Sequence, residues 1–409
     1  MEDIKNFSDK EQKKYAPDNL EIIIFLMSVQ FVGMFFFGGF RTIFPFILLK
    51  NGYTSSQIAS DWAVVYTIAL FIGGFGTRIP MALLSDALSR KQGLLFGTFL
   101  SLLSILLINF TTNLVILGIL LALLRTGTHI YPLTTRGYIN EIVPTRQRKV
   151  NGYIVIGVDI ASFFAPITLG ILLDLSIQVL VAVSCFTLLV TALILNFTTP
   201  KKLQRKKLSV KKIFFQAITD LKQIWEIMGF YFLLGLEIGT FSEILVPFME
   251  NTLHLSILIT DFYVGIIQLT AIIFILIQGR LKSKFSLFFL IITGLLLVIL
   301  GSIIIYLGGI NIPTFIFGSM LINGGIQIDI ISIVTAITLT ASKETAATCF
   351  GIGSSLFFLG ASFIPLFASY IYNINPMYPY VLMIILGVII LGPVIYVKSR
   401  YQNKNGLIT

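Results

Sequence analysis

Residues 124–136 read LRTGTHIYPLTTR, a stretch that places three basic side chains, Arg125, His129 and Arg136, at the end of a long apolar run. Successive residues of a helix are turned by about 100°, so these side chains and Pro132 share one helical face. A charge inside a membrane is costly and faces protein or water rather than lipid. The stretch therefore predicts a membrane helix that lines a polar interior, with Arg125 near mid-depth.

The composition of the whole chain is that of an integral membrane protein. Of its 409 residues, 56% are hydrophobic and only 12% are charged, whereas a soluble domain has about 25% charged residues. A helix needs about 20 apolar residues to cross a bilayer. Twelve such segments are present, at 22–49, 57–81, 92–110, 114–138, 151–173, 177–198, 226–250, 257–279, 285–307, 314–340, 346–372 and 377–397. We therefore expect an all-α polytopic membrane protein with twelve transmembrane helices.

The net charge of +10 reflects membrane topology and not a nucleic-acid partner. With both termini on one side, all but three of the 29 Lys and Arg residues fall on that side, and the exceptions are Arg41, Lys50 and Arg125. Cytoplasmic loops of membrane proteins carry such a basic excess. We expect a multi-pass protein of the cell membrane with both termini and the central loop in the cytoplasm, where its basic loops face anionic lipid headgroups.

A basic polar stretch at residues 199–225 divides the twelve segments into six and six. Its second part carries apolar residues at helical spacing, which predicts an amphipathic helix on the inner membrane surface. The expected units are an N-terminal six-helix bundle at 1–198, this central loop, and a C-terminal six-helix bundle at 226–409.

An internal repeat relates the two bundles. Residues 152–174 align without gaps to residues 351–373, and residues 82–91 align to residues 279–288, at nearly the same offset in both cases. Such a repeat indicates duplicated structural units. Two parallel six-helix repeats place a substrate site near the midplane, between the halves. We therefore expect two pseudo-symmetric bundles with a site at their interface.

The segment after the second span reads ALLSDALSRKQGL (82–94) and resembles the loop signature of the major facilitator superfamily. Asp86, Arg90 and Lys91 match that signature, although two of its glycines are replaced. The resemblance implies that Asp86 belongs to a charge cluster that latches the inner side shut, with Lys343 of span 11 as the opposite charge. Independently, a carboxylate at a helix start stabilises the exposed N–H groups there. A solvated loop that only sets topology is the alternative.

Two further motifs extend the resemblance over essentially the whole chain. Arg125 followed by Gly127 resembles the family's Arg motif in span 4. Ala165-Pro166-x-x-x-Gly170 resembles its Gly/Pro motif in span 5, with Ala in place of the central Gly. The family consists of membrane carriers, so the resemblance implies a twelve-helix secondary transporter.

Ionisable residues away from the span ends are confined to spans 1, 4, 5, 7 and 10. Because such groups avoid lipid, we expect spans 1, 4, 7 and 10 to line a central cavity. Spans 3, 6, 9 and 12 should face lipid. The ionisable residues outside the opening stretch are Arg41, Asp159, Glu237, Glu243 and Asp329.

The repeat places Asp329 level with His129, so Asp329 could bridge to Arg125 or His129 across the cavity. Asp159 lies at a similar depth, and Glu237 lies near mid-depth on a different face of span 7. Buried carboxyl groups near arginines can be tuned to exchange protons, so these three acidic residues are candidate proton carriers. Static ion pairs that only fix helix register are the alternative.

One face of span 5 combines Asp159 with Gly152, Pro166 and Gly170. Small residues let membrane helices approach closely. We therefore expect this face to pack against the other half of the protein.

Arg41 and Glu243 occupy equivalent positions of the repeat, because RTIFPF (41–46) aligns to EILVPF (243–248). Both residues lie towards the outer ends of their spans. We expect them to form an outer gate pair or to bind a zwitterion between them.

These patterns favour a secondary active transporter that moves a small organic solute by alternating access. No G-x-x-x-x-G-K-[S/T] loop is present, so the chain shows no ATP motor. Proton-coupled efflux is favoured, because the Arg and Gly/Pro motifs resemble those of family members that export drugs or metabolites by proton antiport. The runner-up is a gradient-coupled uptake carrier for an organic anion, since the cavity is basic. A non-transporting membrane sensor or a channel is a further alternative.

We expect no enzymatic activity, no cofactor and no metal site. The two histidines, His129 and His254, are too far apart for an H-E-x-x-H metalloprotease motif. Cys185 and Cys349 fall within spans, where free buried cysteines are common. The expected partners are a small-molecule substrate, protons and the lipid bilayer, and we expect a monomer.

Overall fold

The computed structural model describes residues 20–54, 65, 68–69, 71–142, 147–198, 209–255, 257–280 and 286–402. These residues are predominantly helical, with no β-strand among them. Twelve helices of the described chain overlap the predicted spans, although the second of these helices shares only residues 78–81 with the predicted second span, much of which lies outside the described residues. Their bounds are α1 Leu20–Lys50, α2 Arg78–Ala87, α3 Arg90–Ile108, α4 Leu114–Ile142, α5 Gln147–Leu175, α6 Ile177–Thr198, α7 Trp225–Pro247, α8 Ile257–Arg280, α9 Leu287–Gly308, α10 Ile312–Thr340, α11 Ala346–Ile374 and α12 Tyr378–Gln402.

Ten apolar helical stretches in the described part of the chain are long enough to cross a membrane. Two spans fall outside that set. The described end of span 2 is α2, which a π-helical turn, Phe71–Gly76, precedes. The other is span 8, where α8 contains a shorter apolar helix, Phe262–Gln278.

Capping side chains mark where several helices begin. Ser89 caps α3 by accepting a hydrogen bond from the backbone N–H of Gln92, whose side chain accepts one from the N–H of Ser89 in return. This reciprocal pair satisfies two of the amide groups that a helix start leaves open. Ser286 and Asn311 likewise accept hydrogen bonds at the starts of α9 and α10.

The internal repeat is visible in the closest helix contacts. In the first half, α3 and α4 touch through Gly97 and Gly127, and a Cβ atom on Gly97 would lie 2.6 Å from the carbonyl oxygen of Gly127. In the second half, α9 and α10 touch through Gly294 and Gly325, where the corresponding distance is 2.7 Å. Only a residue without a side chain permits so close an approach. The same two positions of the repeat are therefore glycine, and make the same contact, in each half.

The helices pack as two equivalent sets of six. In the first half α1 packs on α5, and α3 packs on α4 and α6. In the second half α7 packs on α11, and α9 packs on α10 and α12. The prediction of an all-α protein with two pseudo-symmetric bundles is confirmed.

The halves meet through α2 and α4 against α11, and through α5 against α8 and α10. Of the long apolar stretches, α4 and α10 bury the largest share of their residues, and α6 and α12 bury the smallest. This agrees with the central position predicted for α4 and α10, but α1, also predicted to be central, is buried no more than α3. Helices α3 and α9 were expected to face lipid. They are more buried than that expectation implies, because glycine contacts let them pack tightly on α4 and α10.

The predicted amphipathic helix in the central loop is present at Val210–Leu221, and we call it the linker helix. Its buried face consists of Ile213, Ala217 and Leu221, and it packs against α2, α10 and α11. Residues 199–208 lie outside the described part of the chain. We use "linker end" for the end of the bundle that carries this helix and the α10–α11 turn at 341–345.

Candidate functional site

Three guanidinium groups and three phenylalanine rings alternate at the interface between the halves, and we call this arrangement the cation–aromatic ladder. The guanidinium carbon of Arg125 lies 4.2 Å from the ring centre of Phe37 and 4.7 Å from that of Phe358. The Arg78 carbon lies 4.3 Å from the Phe358 ring centre, so Arg78 and Arg125 share that ring.

The ladder continues towards the linker end through Phe350. The guanidinium carbons of Arg78 and Arg136 lie 5.9 Å and 5.3 Å from its ring centre. The imidazole of His129 lies beside the Phe358 end of the ladder, with its ring centre 5.6 Å from that of Phe358. A cation over an aromatic face is attracted by the negative face of the ring.

The ladder joins four helices, and it takes charges from one half and rings from both. Arg125, His129 and Arg136 lie on one face of α4, as their spacing predicts, and Arg78 lies on α2. Phe37 lies on α1, whereas the other two rings lie on α11 of the second half. The cations thus belong to the first half, and most of the aromatic surface that they contact belongs to the second.

Glycine allows α2 to approach this site. A Cβ atom on Gly74 would lie 3.1 Å from Nε of Arg125, and one on Gly73 would lie 2.7 Å from the carbonyl oxygen of Ala122. The π-helical turn that holds both glycines therefore packs directly on α4, and it helps to fix the Arg125 side chain.

The basic groups of the ladder are buried, and few hydrogen bonds replace the water that they lose. Arg78, Arg125, His129 and Arg136 are each no more than 6% exposed. Nε and Nη1 of Arg78, Nε of Arg136 and Nδ1 of His129 have no hydrogen-bond partner among the described residues. Arg136 does donate a hydrogen bond from Nη1 to the side-chain oxygen of Asn151. No carboxylate of the described chain forms an ion pair with Arg78 or Arg136.

Guanidinium groups in this setting are suited to an anion. Their planar N–H donors match the geometry of carboxylate and phosphate groups. The ladder also offers flat apolar surface beside those donors. Among the chemistries that the site can perform, binding of an anion that carries an apolar or aromatic portion fits its residues best.

The expected bridge from Asp329 to Arg125 or His129 is not formed. Neither carboxyl oxygen of Asp329 has a hydrogen-bond partner in the described structure. The side chain instead lies against Gly294 of α9. Gly294 leaves the space that the Asp329 carboxyl group occupies, because a Cβ atom there would overlap it. Glu237 lies beside Gly387 of α12, where a Cβ atom would be 3.4 Å from its Oε1.

Asp159 is buried in α5, and its Oδ2 has no hydrogen-bond partner within the described residues. On the same helical face, a Cβ atom on Gly152 would lie 3.3 Å from the side chain of Ile275 in α8. That part of the face packs against the second half, as predicted. Gly170 has open space around it, so the prediction does not extend to the far end of α5, where Pro166 lies one turn earlier.

The sequence-predicted latch residues form a buried cluster at the linker end. Arg90 donates to Asp86 at 2.6 Å, and it pairs with Glu141 of α4 at 2.9 Å. Asp86 also accepts hydrogen bonds from the backbone N–H (2.6 Å) and the hydroxyl (2.7 Å) of Thr348. A second backbone N–H, that of Ala347, donates to Asp86 at 3.4 Å. The first half thereby holds the first turn of α11.

Lys343 is not the opposite charge that Asp86 meets. Its side chain is exposed, and it contributes only its backbone carbonyl oxygen, which accepts a hydrogen bond from Arg90 at 3.4 Å. The open N–H groups at the start of α11 take the place of the lysine, because a helix N-terminus carries partial positive charge. Lys91 points elsewhere and donates to the carbonyl oxygen of Asn196 on α6.

The expected outer gate pair is only half described. Arg41 belongs to α1, and its side chain lies outside the described residues. Glu243 is exposed on α7 and accepts a hydrogen bond from Ser369 of α11 at 3.2 Å.

Sequence reasoning missed several residues of these sites. Arg78 lies near the predicted end of span 2 and was grouped with the loop cations, although it is 5% exposed. The phenylalanines were not distinguished, because the chain contains 36 of them. Glu141 precedes a loop, where an acidic residue carries no special signal. Two features of the sequence indicate that Arg78 faces inward. Arg78 lies about two helical turns before Asp86, and glycines that permit close helix packing precede it.

Comparisons with known proteins agree with this architecture. A family model described as Major Facilitator Superfamily matches residues 26–324. No curated protein sequence matches the chain. The solved structure of the human organic anion transporter MFSD10 (TETRAN) is similar, with a TM-score of 0.75 at 13% identity over 91% of this chain and 98% of that one.

Two bacterial structures are similar as well. A homologue of the iron transporter ferroportin, in an outward-facing state with soaked iron, has a TM-score of 0.72 at 14% identity over 91% of this chain and 98% of its own. A variant of the E. coli fucose:proton symporter FucP has a TM-score of 0.67 at 14% identity over 94% of this chain and 100% of its own. At these identities the likeness concerns the fold.

Proposed function

This chain belongs to the major facilitator superfamily, and we propose on that basis that it carries a small organic anion across the membrane by alternating access. As a member of this family, the protein is a polytopic membrane transporter with a small-molecule substrate, and it is not an enzyme. The substrate class, the coupling and the direction of transport are the proposal.

The cation–aromatic ladder is the observation that carries the proposed substrate class. Arg78 and Arg136 are buried guanidinium groups without an acidic partner in the described structure. Their hydration is lost on burial, and an anion that binds them restores charge-assisted hydrogen bonds. The human organic anion transporter MFSD10 (TETRAN) has a similar fold, which is consistent with the proposal.

Alternating access follows from how the ladder is divided between the halves. An anion held by the arginines of α2 and α4 and stacked on the rings of α11 contacts both halves at once. Hydrogen bonds that join the halves cluster at the linker end, where Asn140 donates to the carbonyl oxygens of Thr338 and Ala341. We propose that these bonds and the Asp86 cluster close the linker end, and that they break when the site opens to that side.

We propose proton antiport as the coupling and export as the direction. Asp159, Glu237 and Asp329 are buried carboxyl groups with unpartnered oxygens, which suits groups that take up and release protons. Export rests on the resemblance of Arg125-x-Gly127 to the Arg motif of exporting relatives. The orientation with both termini in the cytoplasm, the cell membrane as the location, and the monomeric state belong to the same proposal.

The second candidate is proton-coupled uptake of the same anion. The basic ladder favours it equally, because co-transported protons would compensate the negative charge of the substrate. The two candidates differ in the direction in which a pH gradient drives the anion.

Binding is the first test. Thermal unfolding of the purified protein would be followed with benzoate, phthalate and the neutral analogue benzamide, in the wild type, Arg78→Ala, Arg125→Ala and the surface control Lys212→Ala. We expect the carboxylates, and not benzamide, to raise the melting temperature of the wild type and of Lys212→Ala. Both ladder variants should lose at least about tenfold in affinity, since a charge-assisted hydrogen bond contributes about 1.5–3 kcal/mol. Equal binding by all four proteins would remove the ladder as the site.

Flux is the second test. Proteoliposomes loaded with a labelled anion that binds would be followed with a pH gradient of either sign. Antiport predicts that protons moving in accelerate anion efflux, and uptake by symport predicts that anion and protons enter together. Flux that is independent of the gradient would contradict both couplings.

A further inference from the structure

Asn151 of α5 joins a guanidinium group of the ladder to the second half. Its side chain is 0% exposed, and both of its polar atoms form hydrogen bonds. Oδ1 accepts a hydrogen bond from Nη1 of Arg136, and Nδ2 donates one to the hydroxyl of Thr335 on α10 at 3.2 Å. A single buried amide therefore lies between the proposed anion site and a helix of the opposite half.

The orientation of this amide follows from the chemistry of its neighbours. A guanidinium group has only donors, so the amide turns its oxygen towards Arg136. The nitrogen of the amide then faces Thr335, whose hydroxyl oxygen accepts. Reversal would place the N–H donors of Asn151 against those of Arg136. Arg136 thus fixes the amide, and the amide in turn fixes Nη1 of Arg136.

Arg136 keeps donors for a ligand while Asn151 holds it. Its Nε has no hydrogen-bond partner within the described structure, and its guanidinium carbon lies 5.3 Å from the ring centre of Phe350. A guanidinium group carries several N–H donors in a rigid plane, and Asn151 accepts from Nη1. An anion can therefore bind Arg136 without displacing the amide, and it binds best when the amide keeps that plane in place.

Thr335 is held from within the second half. It is 2% exposed, and Ser332 lies one turn before it on α10. The Ser332 hydroxyl accepts a hydrogen bond from Gln278 of α8 at 3.0 Å. The Thr335 hydroxyl therefore moves with the second half, whereas Asn151 and Arg136 move with the first. The bond from Asn151 to Thr335 is lost when the halves separate at the linker end.

Other hydrogen bonds between the halves lack this connection to the ladder. Asn140 donates to the carbonyl oxygens of Thr338 and Ala341, and Asp86 accepts from the N–H and the hydroxyl of Thr348. None of these bonds involves a guanidinium group of the ladder. They can close the linker end whether or not an anion is bound, so they do not report the state of the site.

We propose that Asn151 is a positioning residue that couples anion binding at Arg136 to closure of the linker end. The inference rests on the proposed transport function and adds the link between its site and its gate. With the linker end closed, Thr335 holds the amide, and the amide holds Arg136 towards the anion. With the linker end open, Nδ2 loses its acceptor, the amide turns freely and Arg136 loses its orientation. The anion therefore binds the closed form more tightly, and by reciprocity it favours that form.

Removal of the Thr335 hydroxyl isolates the bond between the halves. Thr335→Val keeps the shape of the side chain and leaves the bond from Arg136 to Asn151 in place. Thr340→Val is the matched control on the same helix, since the Thr340 hydroxyl donates to a carbonyl oxygen within α10.

Maleimide labelling of Cys349 reports the opening of the linker end. Cys349 is 0% exposed in the first turn of α11, and Cys185→Ser removes the other thiol. Labelling rates would be measured with and without saturating phthalate. We expect phthalate to slow labelling about fivefold in the Cys185→Ser background and in Thr340→Val, a factor that corresponds to about 1 kcal/mol.

Thr335→Val should separate binding from closure. We expect it to bind phthalate within about fivefold of the wild-type affinity, since one neutral hydrogen bond contributes a factor of about this size. Phthalate should no longer slow its labelling. A residue that only supports the fold would change the basal rate and leave the phthalate effect intact. An undiminished phthalate effect in Thr335→Val would overturn the proposal.

Asn151→Asp tests the contact with Arg136. The new carboxylate gives Arg136 a permanent anionic partner, and the Nδ2 donor is lost. We expect phthalate affinity to fall at least about tenfold, because the carboxylate competes for the same charged donors. Asn113→Asp makes the same change at an exposed position and should bind as the wild type does. Wild-type affinity in Asn151→Asp would refute the coupling.

The same measurements distinguish this inference from the proposed function. If phthalate does not bind the wild type, the anion proposal fails and the coupling fails with it. If phthalate binds the wild type but does not slow the labelling of Cys349, the coupling alone is refuted and the anion site stands.

Discussion

Phe358 is the residue at which the two halves meet at the ladder. Its ring contacts the guanidinium groups of Arg78 and Arg125 and lies beside the imidazole of His129. All three basic groups belong to the first half, and Phe358 belongs to α11 of the second. The strength of these contacts falls as a cation leaves the ring face. The basic groups are therefore held in place by a helix of the second half, which would move relative to them in the alternating access that we propose.

Replacing Phe358 by leucine should weaken anion binding. A desolvated cation–π contact is worth about 2 kcal/mol, and leucine keeps most of the apolar volume without the ring quadrupole. We expect an affinity loss of up to about thirtyfold, since about 1.4 kcal/mol is a factor of ten, measured with the carboxylate that gives the largest thermal shift. Phe363→Leu is the matched control, since Phe363 is on the same helix but 62% exposed. An equal loss in both variants would mean that Phe358 has no special role.

At the scale of the elements, glycine contacts fix the central helix pairs. Gly97 and Gly127 join α3 to α4, and Gly294 and Gly325 join α9 to α10. Helix association in membranes depends on close packing, because lipid is as apolar as the side chains. The pairs that carry the ladder and the buried acids are thus held by contacts that a single methyl group would disturb.

Alanine at either interface should destabilise the protein. At Gly97 and at Gly294 a Cβ atom would approach a backbone carbonyl oxygen to 2.6 Å and 2.7 Å, and overpacking of this kind costs about 1–3 kcal/mol. We expect Gly97→Ala and Gly294→Ala to lower the melting temperature in detergent. Gly392→Ala, which has open space on α12, should leave it unchanged.

At the scale of the whole molecule, side chains that hydrogen-bond to backbone groups at helix ends hold the halves together at the linker end. Asp86 caps the start of α11 and Asn140 caps the end of α10. Asp220 of the linker helix accepts hydrogen bonds from the Ser342 N–H at 3.2 Å and the Thr345 hydroxyl at 2.6 Å. Both bundles and the helix that links them therefore converge on the α10–α11 turn.

Removing the Asp86 carboxylate should open the linker end. Asp86→Ala breaks a buried ion pair and leaves Arg90 with Glu141 alone, a change that costs about 3–5 kcal/mol in buried sites. Cys349 reports the opening, because it is 0% exposed in the first turn of α11. In a Cys185→Ser background, we expect maleimide to label Cys349 faster in Asp86→Ala. The exposed-carboxyl control Asp174→Asn should label at the original rate, and equal rates in all proteins would contradict the latch.

The fold could be predicted from the sequence to a large extent. Twelve apolar segments, a basic interruption after the sixth and a repeat with nearly constant offset led to the bundle architecture. The positions of Arg125, His129 and Arg136 on one helical face also followed from spacing. These features depend on hydropathy and on helix periodicity, which are local properties of the chain.

Partners across helices could not be predicted in this way. Asp329 was expected to bridge to Arg125 or His129, but it lies against Gly294 instead. Asp86 was recognised as part of a latch, but its partners are the N–H groups of α11 and not the side chain of Lys343. Depth and face along one helix are encoded within about one turn of sequence. Which neighbouring helix meets that face depends on the packing of all twelve, so only the tertiary structure decided where each buried charge finds its partner.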